Sequence, residues 1–260
     1  MTGNALVTGA GVRLGRAMAM YLAQRGMKVA VHYNTSEGPA QDVVAEIEAM
    51  GGQAVALGAD LLNEDAVLAL GPRAADALGG PLSVLVNNAS IFEHDTLSSA
   101  TRESWDRHIE SNLRAPFVLT QHLAAHAPDP ATDEMGEPVA QALVINMIDQ
   151  RVRKLTPEFM TYTIAKMGLW ALTQTSAQAL APRVRVNAIG PGPTLRGGRQ
   201  SVDHFAKQRA ATILRRGANT SDITAALGYF LDAPGVTGQL VCVDGGQHLA
   251  WETPDVLGVE

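Results

Sequence analysis

Ala5-Leu6-Val7-Thr8-Gly9-Ala10-Gly11-Val12-Arg13-Leu14-Gly15 passes from an apolar, strand-like run into a glycine-rich turn, and the residues that follow carry helical period. Gly9 permits a tight turn out of a strand, and Gly15 permits a helix to pack close against it. The first N–H groups of that helix lack intrahelical partners, so they can receive a pyrophosphate. This strand, turn and helix at the head of the chain predict a dinucleotide site at the carboxyl end of a parallel sheet.

Working outward, further short β-branched or leucine-rich runs alternate with alanine-rich helical stretches. Strands are expected at 5–8, 29–32, 54–57, 84–87, 143–146, 185–188 and 240–243, most of them largely apolar rather than alternating, as in strands buried on both faces. Helices are expected at 15–25, 39–50, 64–78, 102–127, 162–181 and 221–231. Asn63, and Thr220 with Ser221, offer oxygens that can cap helix starts. The strand–helix–strand unit recurs six times. This predicts an α/β fold, a single doubly wound seven-stranded parallel sheet with helices on both faces, over 1–260. Residues 128–138, with three prolines and four acids, read as a solvated loop. Residues 191–217, rich in glycine and late in the chain, read as a substrate lid. Trp105 and Trp170 fall on helices and read as packing residues.

The 260 residues are 46% apolar and 18% charged, enough for a packed core. Twenty basic against twenty-six acidic residues give a net charge of −6, which invites neither nucleic acid nor an anionic membrane surface. Cys242 is the only cysteine, so an internal disulfide is excluded. His122 and His126 lie four apart on a helix but have no apparent third ligand, so no metal site is expected. The first strand begins within a few residues of Met1, and a cytoplasmic location is expected.

An enzyme selecting NAD would carry an acid near the end of strand two to hold the ribose hydroxyls. Here that place reads His32-Tyr33-Asn34-Thr35-Ser36, with no acid before Glu37. Arg13, His32 and Ser36 could instead hold a 2′-phosphate, which favours NADP(H).

Four more patterns follow in order: Asn87-Asn88-Ala89-Ser90, Asn112 within a long helix, Tyr162-Thr163-Ile164-Ala165-Lys166, and Pro191-Gly192. With Val243-Asp244-Gly245-Gly246 they make the chain resemble the short-chain dehydrogenase/reductase superfamily, whose fold is Rossmann-type, over essentially its full length. Lys166 lies one helical turn beyond Tyr162, so both project from one face. Its charge is expected to lower the pKa of Tyr162, the proton donor. The resemblance implies that Lys166 also holds the nicotinamide ribose and that Asn112 supports a proton-relay water. It further implies cofactor contacts at Leu14, Tyr33, Asn34, Asp60, Leu61, Asn88, Ala89, Ser90, Pro191 and Gly192.

One position departs from the superfamily pattern. Thirteen residues before Tyr162, where a serine usually assists the substrate carbonyl, stands Asp149. A carboxylate about 4 Å from a developing alkoxide costs about 4 kcal/mol at an effective dielectric near twenty. It suits a nitrogen heterocycle better, since it can bind amino and ring N–H groups or pass on a proton. Asp149, the turn Arg13-Leu14-Gly15-Arg16, His32-Tyr33 with Ser36, and Ser90 followed by Phe92 resemble the pteridine and dihydromonapterin reductases. That resemblance implies that Phe92 and the nicotinamide sandwich a flat pterin, with Ser90, Asp149 and Tyr162 around it. Asn34-Thr35 replace a frequent basic pair, implying a lighter phosphate grip.

The expected function is NADPH-dependent reduction of a dihydropterin such as dihydromonapterin, dihydrobiopterin or dihydrofolate. The alternatives are a general carbonyl or 3-oxoacyl reductase, or an NADP-binding protein without turnover. The apolar breadth of 162–181 needs a second partner, and the resemblance implies a homotetramer. The tail residues Leu249–Trp251 and Val256–Val259 could tuck against a neighbouring subunit.

Overall fold

A computed structural model describes residues 3–198 and 200–252 of the chain. The first half runs β1 (Asn4–Val7), α1 (Arg13–Gln24), β2 (Lys28–Tyr33), α2 (Glu37–Ala49), β3 (Ala54–Gly58), α3 (Glu64–Leu78), β4 (Leu82–Asn87), α4 (Arg102–Ile109) and α5 (Ala115–His126). The second half runs β5 (Ala131–Thr132), β6 (Pro138–Val139), β7 (Ala142–Met147), α6 (Met160–Leu180), β8 (Val184–Pro191), α7 (Val202–Ala210), α8 (Thr220–Asp232) and β9 (Leu240–Val243).

Among the described residues, seven strands form one sheet in the order β3-β2-β1-β4-β7-β8-β9, and every neighbouring pair is parallel. Successive side chains leave a strand on opposite faces. Ala5, Val7, Val29, Val31, Val84, Val86, Leu143 and Ile145 therefore fill one core, against α1, α2 and α8. Leu6, Ala30, Leu85, Ala142 and Val144 fill the other, against α3 and α5. Both parities are apolar because both faces are covered, which is why these strands show no alternation.

Three local findings refine the sequence expectations. The Asn63 side chain accepts from the Ala66 N–H at 3.1 Å and fixes the start of α3 as expected. The cap of α8 is instead Asn219, whose N–H reaches the Asp222 carboxylate at 2.7 Å. The helix expected over 102–127 is broken by a π turn at Glu110–Arg114. Pro116 has no N–H to give the carbonyl of Asn112, four residues back, so the regular ladder cannot run through this turn. The acidic loop contains a small antiparallel hairpin, β5 with β6.

Trp170 packs partly buried beside Leu169 and Ile148. Trp105, read as a packing residue, is instead 42% exposed. No helix among the described residues is long and apolar enough to cross a membrane. Val256–Val259 lie outside the described residues.

Candidate active site

The carboxyl ends of β1, β4, β7 and β8 open onto one cavity of about 510 Å³. β1 is flanked by β2 on one side and β4 on the other, so successive crossovers leave in opposite directions there and open a crevice. Gly9, Arg13, Leu14, Gly15, Tyr33, Asn34, Ser36, Asn88, Ala89, Ser90, Phe92, Asp149, Tyr162, Lys166, Pro191 and Gly192 all line it. His32, Asp60, Leu61 and Asn112 do not.

The floor fits a dinucleotide. Gly9 adopts φ +61, and a Cβ on Gly15 would lie 2.1 Å from the Gly9 carbonyl oxygen. Neither position admits a side chain without shifting the turn. No side chain caps α1 and no acid stands in its first turn, so its N–H groups remain directed at the cavity. Thr8 and Asn88 tie the two strand ends together. The Thr8 hydroxyl accepts from the N–H groups of Asn88 (2.9 Å) and Ala89 (3.0 Å), and the Asn88 amide returns a bond to the Thr8 carbonyl at 2.8 Å.

His32 does not face the phosphate region. It is 1% exposed, its Nδ1 accepts the Gly9 N–H at 3.0 Å, and its Nε2–H donates to the Ala59 carbonyl at 3.0 Å. Burial pushes its pKa down to about 4, so the ring is neutral and braces the glycine turn. The signal lay in strand parity, since His32 falls on the side of Ala30 and away from Val31.

Arg13 lines the cavity at φ +55, a left-handed conformation that costs an L-residue roughly 1–2 kcal/mol. Its guanidinium donates to the carbonyls of Leu195 (3.0 Å) and Arg196 (2.8 Å), tying the turn to the segment after β8. Asp60 accepts from the Leu62 N–H at 3.0 Å and approaches the cavity only through Asn34, at 3.5 Å. Asn112 spends its side-chain amide on Ile91, accepting its N–H at 2.9 Å and donating to its carbonyl at 2.8 Å. It thus fixes the loop that carries Phe92.

The reacting end is built around Tyr162, which donates its hydroxyl to Asp149 Oδ2 at 2.9 Å. Asp149 Oδ1 accepts the Arg151 N–H at 2.8 Å. Burial pushes the Asp149 carboxyl up, opposed by the Arg151 N–H and the Tyr162 hydroxyl. Burial, with Asp149 beside it, also holds Tyr162 well above the usual phenol. The expected lowering of Tyr162 by Lys166 is therefore corrected. Lys166 Nζ donates to the Met147 carbonyl at 2.8 Å and lies 5.7 Å from the Tyr162 ring centroid. Burial brings Lys166 itself down to about 8.

Asp95, Thr161 and Ser104, which the sequence did not single out, help to place this pair. Asp95, 3% exposed, accepts from the Thr161 N–H at 3.1 Å and from the Thr161 and Ser104 hydroxyls. Burial would raise it, but those hydrogen bonds outweigh burial and hold it below the usual carboxylate range. His108 Nδ1 meets the same Thr161 hydroxyl at 2.7 Å. Asn87 donates to Asn146 at 2.8 Å, and Asn146 to Thr173 at 2.9 Å, so β4, β7 and α6 are pinned by polar bonds inside the core. Phe92 stacks on Phe159, with ring centroids 4.2 Å apart and planes 8° apart, and meets Tyr162 edge-on at 4.7 Å.

A family model described as Enoyl-(Acyl carrier protein) reductase matches residues 9–248. The chain belongs to the short-chain dehydrogenase/reductase superfamily. The 3-oxoacyl-[acyl-carrier-protein] reductase FabG of Staphylococcus aureus is 31% identical over 254 residues, covering 96% of this chain and 99% of the relative. FolM Alternative dihydrofolate reductase 1 from Brucella suis, solved in complex with NADP, is 41% identical. It superposes with a TM-score of 0.90 over 97% of this chain and 98% of that one. A blue fluorescent protein from a metagenomic library, solved with NADPH, is 30% identical, with a TM-score of 0.83 over 94% and 97% of the two chains. This short-chain dehydrogenase/reductase is an NADP-dependent oxidoreductase acting on a small molecule.

Proposed function

We propose that this chain is an NADPH-dependent dihydropterin reductase. The observation that carries the reading is the hydrogen bond from Tyr162 to Asp149, at the position where the superfamily usually offers a serine. NADPH supplies the hydride when bound. Asp149 and Tyr162 act as one proton-holding pair for the ring nitrogen, because burial favours the protonated form of each. Lys166 supports the pair and the nicotinamide ribose, while Phe92 and Ser90 line the pterin side of the cavity. Gly9, Leu14, Gly15, Tyr33, Asn34, Ser36, Asn88, Ala89, Pro191 and Gly192 receive the cofactor, with Arg13 beside its 2′-phosphate. Asp60 and Leu61 border the adenine end, and Asn112 acts by holding the Phe92 loop. The chain works as one Rossmann-type domain with a lid over 191–217, and Arg209 stitches that lid through its bonds to Pro193 (2.9 Å) and Ala218 (2.6 Å). The similarity to a FolM alternative dihydrofolate reductase supports this substrate class.

The second reading, a 3-oxoacyl reductase, draws on the similarity to FabG. Substituting Asp149→Ser separates the two. A dihydropterin reductase should lose its activity in this variant, whereas a 3-oxoacyl reductase should gain activity.

A further inference from the structure

Phe159 is a bulky aromatic residue at φ +58, a left-handed conformation that its side chain does nothing to favour. Such outliers persist where the surroundings over-determine them, often in the service of a site. Here the surroundings are Asp95, whose carbonyl accepts the N–H of Phe159 at 2.8 Å and of Met160 at 3.3 Å. The Asp95 carboxylate takes the next N–H, that of Thr161, at 3.1 Å. Helix α6 is thus started over Asp95, and Phe159 is turned back against Phe92.

Arg151 packs over the same Phe159 ring, its guanidinium carbon 5.2 Å from the centroid. That guanidinium is held by the Thr156 hydroxyl and the Glu158 carbonyl, so the loop before α6 is fastened to the stack. Arg151, Phe159 and Phe92 form a contiguous column, of which only Phe92 lines the cavity. Arg151 also gives its backbone N–H to Asp149, so the column and the proton-holding pair share one support.

Phe92 stands on a loop and is 44% exposed, and an unsupported ring there would lose rotamer freedom on meeting a substrate. A ring already fixed by a parallel neighbour has met that cost in advance. We infer that Phe159, backed by Arg151, is a positioning residue that sets the plane of Phe92 and makes the site selective for flat heteroaromatic substrates over flexible acyl chains. The inference deepens the dihydropterin reading and rests on it.

Steady-state kinetics of the full chain with NADPH and 7,8-dihydrobiopterin test it through Phe159→Leu, which keeps apolar bulk and removes the flat ring. Loss of a ring stack should raise the pterin KM about threefold to tenfold. kcat should change by less than about twofold and the KM for NADPH should hold, a split that a merely structural role would not produce. Phe159→Tyr, which keeps the ring, should restore the pterin KM. An unchanged pterin KM in folded Phe159→Leu overturns the inference while the dihydropterin reading stands. Failure of the unmodified protein to reduce any dihydropterin removes both. Should Phe159→Leu not fold, Arg151→Met is read in its place, with an expected KM rise of about twofold to fivefold; an unchanged value overturns the inference.

Discussion

Tyr162 and Asp149, thirteen residues apart, meet through a 2.9 Å hydrogen bond in which the phenol is the donor. Two buried acids facing each other cannot both ionise cheaply, so each keeps its proton to a higher pH than it would alone. A serine at position 149 could donate to a carbonyl oxygen but could not store a proton. The pair can do so, and that distinguishes this site chemically.

The pH dependence of turnover should show it. A proton donor with a raised pKa is competent below that value and fails as pH rises through it. In the unmodified protein, kcat/KM for a dihydropterin should therefore be greatest on the acid side and decline above the ordinary carboxylate range. Asp149→Asn cannot titrate, so the decline due to the carboxyl should vanish; Lys166, at about 8 with the Asp149 charge raising it, should lose its own charge at lower pH in this variant. Its rate at pH 6 should be lower by roughly a hundredfold or more. A profile unchanged by Asp149→Asn would contradict the assignment.

His32 links stability to pH. Its folded pKa of about 4 lies below the ordinary value of 6.5, so protonation favours the unfolded chain. The stability that the neutral ring contributes is present above about pH 6.5 and is lost as pH falls towards 4. The full span is worth roughly 3 kcal/mol at 1.36 kcal/mol per pH unit. Denaturant midpoints measured between pH 7.5 and 4.5 should fall in the unmodified protein and less steeply in His32→Gln. Equal slopes for the two proteins would count against the buried, neutral ring.

Cofactor choice rests on Arg13 and on the absence of an acid between the end of β2 and Glu37. NADPH should bind at least about tenfold more tightly than NADH. Arg13→Ala should narrow that gap and, by releasing the Leu195 and Arg196 carbonyls, loosen the segment after β8. Fluorescence titration with both cofactors measures it, and equal affinities in the unmodified protein would rule it out.

Assembly is the fourth expectation. Trp105 (42% exposed) on α4, Phe117 (38%) on α5, and Ile164 (40%) and Met167 (38%) on α6 leave apolar surface uncovered in a single chain. Light scattering at micromolar concentration should give four times the single-chain mass. A single-chain mass would exclude the tetramer.

The parts of this fold that were legible in the sequence are those set by local rules. Strands buried on both faces read as short, largely apolar runs, and all seven expected runs become strands of the sheet, β8 among them despite Arg185 and Asn187. The start of α3 was readable because Asn63 caps with its own side chain. The cavity residues Gly9, Gly15, Asp149, Tyr162 and Lys166 were readable because each stands at a fixed offset from a strand end or from another of them.

What escaped depends on contacts between distant residues. Phe159 is held by Asp95, sixty-four positions earlier, and no local pattern announces a left-handed aromatic. The break at Glu110–Arg114 is visible in retrospect from Pro116, but the apolar period runs on through it. Along the chain His32 stands at a strand end, near Ser36 and in the place of a donor for phosphate. Parity along β2 turns it to the other face, against Ala59.

The most direct measurement is NADPH oxidation, followed by absorbance at 340 nm (about the usual wavelength for this coenzyme), across a panel of dihydropterins, 3-oxoacyl thioesters and simple ketones. The account predicts that kcat/KM for at least one dihydropterin exceeds that for every carbonyl compound by about a hundredfold, the scale of a lost proton donor. Turnover of ketones or 3-oxoacyl thioesters with no oxidation of NADPH by any pterin would contradict it.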